Sequence, residues 1–270
     1  MIIDSFLLSL FFSVCLAAEV WLYSHLDLSF LQRGRVVTVS QRVVGFVATV
    51  TAAIALIISF LILHRASPYL LQLFYIIFFT FSAALFIVLV VRLRPLLPRF
   101  ILGILIAFIL LIVTLIFPYS LLQNIFMAVS ILWVGPIVFR RFSLSLPLFF
   151  IILVVFALID TYNISIVTLP SLFSDESFAY NGLVTVGEYM LGIGDFFLGY
   201  LMVSAARHYL GRAPAYFLAA LLPIPRFLIR IIIPILAGAT FPYSLFMVPL
   251  SLTVFFMFRS RWANVPVRPK

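Results

Sequence analysis

Eight acidic residues occur in the 270-residue sequence, and four of them fall inside long apolar stretches: Glu19, Asp160, Glu188 and Asp195. Burying a carboxyl in a membrane span costs several kcal/mol, so each one marks a functional or structural need. Asp160 and Asp195 stand out. One lies toward the end of an apolar stretch and the other near the middle of the next, and the short segment between the stretches makes them antiparallel. Asp160 is nine residues from Leu169 and Asp195 thirteen from Gly182. On continuous helices the two lie about 14 and 20 Å from the same surface, a mismatch of roughly one turn that tilt absorbs. The carboxyls are therefore expected to meet across a helix interface. Two carboxyls a few ångström apart in a low dielectric cannot both ionise, so they share a proton. Such a pair suits hydrolysis: the ionised group activates water while the protonated one polarises a carbonyl.

The surroundings of Asp195 favour close approach. The chain reads Gly192-Ile193-Gly194-Asp195-Phe196-Phe197, with Gly199 one turn later. Missing side chains at Gly192, Gly194 and Gly199 let a helix or a substrate backbone come near the carboxylate. Glu188 is seven residues before Asp195, so on a continuous helix it shares that face and either tunes the site or sits at the interface. Glu19, near the end of the first stretch, is expected to be an interfacial or interhelical hydrogen-bond partner. His25, His64 and His208 lie at the ends of stretches, too scattered to ligate a metal, and Cys15 alone forms no disulfide or thiolate cluster. No metal or organic cofactor is expected.

The elements that must position these residues are transmembrane helices. Hydrophobic residues make up 66% of the chain and charged residues 9%, against about 25% charged in soluble domains. The apolar runs are too long for barrel strands. The expected fold is all-α: one polytopic membrane domain over 1–270, with lipid as its solvent. At about 17–25 apolar residues per crossing, nine spans are expected, near 3–23, 43–63, 69–91, 100–117, 122–139, 145–168, 182–206, 213–236 and 241–258. Pro223, Pro225 and Pro234 predict a kink in the eighth, where Arg226 and Arg230 share a face. The first stretch carries Asp4 rather than a basic leader, so it is expected to be a retained span. Fourteen basic residues fall on one side of this arrangement: Arg33, Arg35, Arg42, Arg92, Arg94, Arg99, Arg140, Arg141, Arg207, Arg212, Arg259, Arg261, Arg268 and Lys270. The positive-inside rule puts that side and the C-terminus in the cytoplasm, with the N-terminus outside. Basic residues dispersed between spans are topology signals, so the net charge of +9 implies no nucleic-acid partner.

Gly192, Gly194 and Asp195 in a seventh span, Asp160 in a sixth, Phe196 after the motif and the count of nine resemble the presenilin and signal-peptide-peptidase family of intramembrane aspartic proteases. The resemblance implies a presenilin-like bundle with Asp160 and Asp195 as the catalytic dyad. It also implies a substrate-holding segment at the head of the ninth span. There the family has Pro-Ala-Leu and this chain has Pro242-Tyr243-Ser244. The family's tyrosine before the sixth-span aspartate is Ile159 here, with Tyr162 close by as a tuning residue. With the loop between the two aspartate spans outside, the orientation is similar to that of signal peptide peptidases, whose substrates have type II topology.

The function expected is hydrolysis of peptide bonds within transmembrane segments or signal-peptide remnants. The partners expected are transmembrane-helix substrates and the bilayer. Two other classes use the same residues: a transporter or channel whose buried carboxyls bind protons or cations, and an inactive scaffold that binds transmembrane segments. Loss of ion-driven flux on neutralising either aspartate marks the first, and binding that survives their loss marks the second.

Overall fold

The computed structural model describes residues 2–26, 68–91, 96–116, 120–141, 144–166, 183–186, 189–232 and 243–258. The expected span at 43–63 lies outside them. The described chain is mostly helical: α1 (Ile2–His25), α2 (Pro68–Val90), α3 (Leu96–Ile116), α4 (Ser120–Ser130), α5 (Val134–Arg141), α6 (Leu146–Ile166), α7 (Ile193–Tyr209), α8 (Arg212–Leu221), α9 (Ile224–Ile232) and α10 (Ser244–Met257). A hairpin of β1 (Leu183–Val186) and β2 (Tyr189–Gly192) interrupts them. Helix starts follow proline. Pro68, Pro98, Pro136, Pro147, Pro214 and Pro225 all sit in a first turn, where the absent N–H forfeits no helical hydrogen bond.

Five helical stretches are long and apolar enough to cross a membrane: Ile3–His25, Leu73–Val90, Leu97–Thr114, Leu121–Arg140 and Arg212–Ile229. Helix α1 is the hub, touching α5, α7, α8, α9 and both strands. Its buried residues Leu8, Phe12, Cys15, Leu16, Glu19, Val20 and Tyr23 recur at three- and four-residue intervals, so they form one face. The opposite face is equally apolar yet exposed, with Ile3, Phe6, Leu10, Val14 and Trp21 pointing out. Helix α3 does the same through Ile101, Leu105, Phe108 and Ile112. A helix that is apolar all round needs an apolar surrounding on both sides.

Three expected spans are built differently. The fifth, 122–139, is two helices, α4 and α5, separated by a turn at 131–133. The eighth breaks at Leu222 and Pro223 into α8 and α9, as its prolines predict. The seventh, 182–206, is not a single helix. Residues 183–192 form an antiparallel hairpin, and α7 begins only at Ile193. The local sequence explains this. Val184, Thr185 and Val186 are β-branched and favour extended backbone. Only Gly187 and Glu188, outside the described residues, lie between the two strands in sequence.

Each helix break frees carbonyls that need donors. At the α4–α5 break they are met one by one. Ser130 Oγ donates to the Met127 carbonyl, Tyr200 to Ala128, the Leu132 N–H to Val129 and Ser82 Oγ to Ser130. Trp133 Nε1 in turn donates to Ser82 Oγ at 2.9 Å. Near the end of α8, Ser13 Oγ donates to the Ala219 carbonyl and the Tyr243 hydroxyl to that of Leu222. Arg140 Nη1 donates to the Tyr23 and Leu26 carbonyls at the end of α1. Helix α7 closes on Gly211, whose φ of 101° is the left-handed geometry that glycine adopts freely, and its N–H donates to Ala206.

The tightest point of the bundle is where α1, α5 and α7 meet. Ser204 Oγ donates to Glu19 Oε1 at 2.5 Å, and Gly135 faces them both. A Cβ at position 135 would stand 2.3 Å from Glu19 Oε1 and 2.4 Å from Ser204 Oγ. Gly135→Ala is therefore expected to force the pair apart and lower stability by about 1–3 kcal/mol. Thermal unfolding in nanodiscs checks this. An unchanged midpoint would show that the contact is not as close as described.

Candidate functional site

Asp195 is the third residue of α7, not a mid-helix residue as a continuous seventh span would make it. Gly192 is the last residue of β2 and also the helix N-cap, with an extended backbone at φ −64° and ψ 143°. The carboxylate thus lies at the helix's positive end, which favours negative charge. Its Oδ2 is 3.6 Å from where a Gly192 Cβ would stand, so the side chain folds back over the strand-to-helix junction. Asp195 is half-buried and Gly194 is exposed, with nothing among the described residues within 4 Å of where its Cβ would be. The site is open on the Gly194 side.

The three glycines do different work. At Gly199 a Cβ would meet Leu16 Cδ2 at 2.8 Å and Phe12 Cζ at 2.9 Å, so this one serves the packing of α7 on α1. Gly192 has room for a methyl group, and Gly194 has open space. Ile193, between them, is half-buried against the core.

Aromatic packing fixes the junction. Phe196, beside Asp195, is fully buried against Phe11 and Phe12, with ring centroids 5.9 and 4.8 Å away. Phe12 also reaches Tyr243, at 6.4 Å. The head of α10 is therefore tied to the head of α7 through one ring of α1. Tyr243 and Ser244 are both buried. The Tyr243 hydroxyl donates to the Leu222 carbonyl and lies within electrostatic reach of Asp195 and Arg226, and the Arg226 guanidinium sits 5.9 Å from its ring centroid. Tyr243 thus anchors the wall of the site.

On the sixth-span side, Phe156 of α6 lies 6.2 Å from Phe197 of α7. Phe156 is one turn before Asp160 on α6, and among the described residues α6 packs chiefly on α10. Asp160 and Tyr162 lie on α6, but their side chains fall outside the described residues, as do Glu188 and Pro242. The expectation that Glu188 shares a helical face with Asp195 does not hold, because Tyr189–Gly192 between them is a strand.

Glu19 is an interhelical partner, bonded to Ser204, and its carboxyl is shut in by Gly135. Among the described residues no three His, Cys, Asp or Glu side chains gather as a metal set would require. One polar residue near the site escapes a reading of acidic residues alone. Asn124, inside the fifth apolar stretch, hydrogen-bonds the backbone of β1 through both ends of its carboxamide. Its signal was the rule applied to the carboxyls: a buried polar group in an apolar span has a partner.

The fold fits a multi-pass helical membrane protein. No protein-family model, curated protein or solved structure matches the chain.

The glycines can be told apart by substitution. Gly199→Ala is expected to cost about 1–3 kcal/mol through the clash with Leu16 and Phe12. Gly194→Ala is expected to stay within about 1 kcal/mol, the helix preference for alanine offsetting any local change. Thermal midpoints of the two variants in the same lipid give the answer, and equal losses would contradict the assignment.

Proposed function

We propose that the protein is an intramembrane aspartic endopeptidase, with Asp160 and Asp195 as its dyad in a nine-span bundle similar to that of the presenilin and signal-peptide-peptidase family. The observation that carries this reading is the position of Asp195, on an open junction where a strand becomes a helix. A transmembrane helix hides its peptide bonds in i to i−4 hydrogen bonds, so cleavage requires local unwinding. The unwound backbone then needs partners, because lipid supplies none.

Strand β2 offers such partners. Thr185 pairs opposite Met190 and turns its own N–H and carbonyl toward Asn124, so it faces away from β2. By the alternation of an antiparallel pair, Met190 likewise turns its N–H and carbonyl away from β1. Among the described residues no other backbone group pairs with Met190 there. An extended substrate segment added to that edge runs alongside Gly192 to the Asp195 carboxyl.

In the reaction the ionised aspartate takes a proton from water as the water oxygen bonds to the carbonyl carbon. The protonated aspartate gives its proton to the carbonyl oxygen, forming a gem-diol. Collapse of the diol returns one hydroxyl proton to the ionised aspartate and breaks the C–N bond, while the departing nitrogen takes a proton from the protonated aspartate, leaving an acid, an amine and a singly protonated dyad. As the resemblance implies, the Pro242-Tyr243-Ser244 segment holds the substrate, and Tyr162 tunes Asp160. The basic loops face the cytoplasm, the N-terminus and the acidic segment with Asp175 and Glu176 face outside, and type II segments are the substrates.

Cleavage of a fluorogenic transmembrane peptide by purified protein in bilayers tests the reading. Wild type is expected to cleave, and Asp160→Ala and Asp195→Ala are each expected to lose activity by at least about 1,000-fold. Cleavage that persists in either variant refutes a two-aspartate mechanism. For the orientation, a glycosylation acceptor placed in the 170–181 segment is expected to be modified, and one placed at the C-terminus is not. The reverse pattern overturns the topology.

A further inference from the structure

Asn124 is only 2% exposed within the apolar helix α4, and the proposed chemistry gives it no part. Its carboxamide does for β1 what a neighbouring strand would do. The Thr185 N–H donates to Asn124 Oδ1 at 3.0 Å, and Asn124 Nδ2 donates to the Thr185 carbonyl at 2.5 Å. One side chain thus satisfies both backbone groups that Thr185 turns away from β2.

We infer that Asn124 is a positioning residue: it caps the outer edge of β1 at Thr185 and keeps the hairpin formed against α4 before substrate arrives. Two arguments support this. A two-stranded hairpin of four residues per strand is marginal by itself, and in an apolar setting its unpaired edges cost more still. Asn124 removes that cost on one edge only, since β1 packs on α4 and β2 leads into α7. The second argument is geometric. Strands lie about 4.8 Å apart, so a segment added to β2 passes one spacing from the strand that delivers Asp195, whereas one added to β1 lies two spacings, about 10 Å, from it. Closing the β1 edge steers an incoming strand to the productive side. Holding the hairpin in advance also removes an ordering cost from binding. The steering step rests on the protease reading, whereas the holding of the hairpin does not.

The test uses the full-length protein in nanodiscs and has two arms. In the first, hydrogen exchange without substrate compares wild type with Asn124→Ala, Asn124→Asp and Thr185→Pro. The Asp variant keeps the acceptor for the Thr185 N–H and loses the donor to its carbonyl. The Pro variant removes an N–H that faces Asn124 and so spares the bonds between β1 and β2. Exchange across 183–192 is expected to rise about tenfold or more in the Ala and Pro variants and less in the Asp variant. Peptides from α1 and α7 are expected to be unchanged, which separates this effect from misfolding. Unchanged exchange at 183–192 in all three overturns the inference, and so does a rise spread evenly over α1 and α7.

In the second arm, cleavage of the fluorogenic peptide is expected to show KM raised about tenfold with kcat altered less, because preorganisation acts on binding. An exchange change with unaltered KM overturns the steering role. A wild type that cleaves nothing while the exchange difference persists refutes the protease reading alone, leaving Asn124 as the residue that holds the hairpin.

Discussion

A backbone carbonyl released inside an apolar bundle has no water to accept from, and much of this structure is arranged around that constraint. The chain is interrupted repeatedly: at 131–133, at Leu222 and Pro223, and at the hairpin before Gly192. Each interruption frees backbone groups that cost several kcal/mol if left unpaired. At each one a side chain from another element supplies the partner: Tyr200 and Ser82 at the first, Tyr243 and Ser13 at the second, Asn124 at the third. These donors are the polar residues of otherwise apolar helices. Their positions tell where the chain departs from regular structure.

Helix α1 gathers these departures around one axis. Phe12 touches Phe196 and Tyr243, which lie at the heads of α7 and α10, and Glu19 bonds Ser204 about two turns further along α7. Two points on one helix thus fix the height and rotation of α7, and with them the place of Asp195. Glu19 is fully buried: its Oε1 takes the Ser204 hydroxyl beside Gly135, and its Oε2 has no hydrogen-bond partner among the described residues. The bonded oxygen thus ties α1 to α7.

The helical class of the fold was legible in composition alone. The spans with a simple apolar run appear nearly where length predicts: 3–23 as α1, 69–91 as α2, 100–117 as α3. The departures came where apolar content and secondary structure part company. The 182–206 stretch satisfies a hydropathy count, yet its first ten residues hold three consecutive β-branched side chains and a glycine that suits a tight connection. Hydropathy reports what surrounds a segment and not its backbone conformation. The candidate residues stand out in the sequence for a different reason. A carboxyl among apolar residues is costly wherever it sits, so Asp195 stood out although its place on the helix was misjudged. Asn124 carries the same kind of signal more weakly, being uncharged. Gly135 carries none, because a glycine's neighbours are known only after helices pack.

The corrected position of Asp195 changes the physical problem it faces. Mid-helix, its carboxylate would meet only side chains, and a substrate would have to pack as a further helix whose peptide bonds stay paired. At the head of α7 it meets a strand end, a half-buried junction and the open space at Gly194. An extended backbone is the form in which a peptide bond is exposed to nucleophilic attack, and an edge strand is the element that stabilises that form. In the proposed mechanism the carboxyl that activates water and the strand that pairs with the unwound substrate are therefore joined by covalent continuity. Moving the strand moves the carboxyl with it, so binding geometry and chemical geometry stay coupled without a separate device to align them.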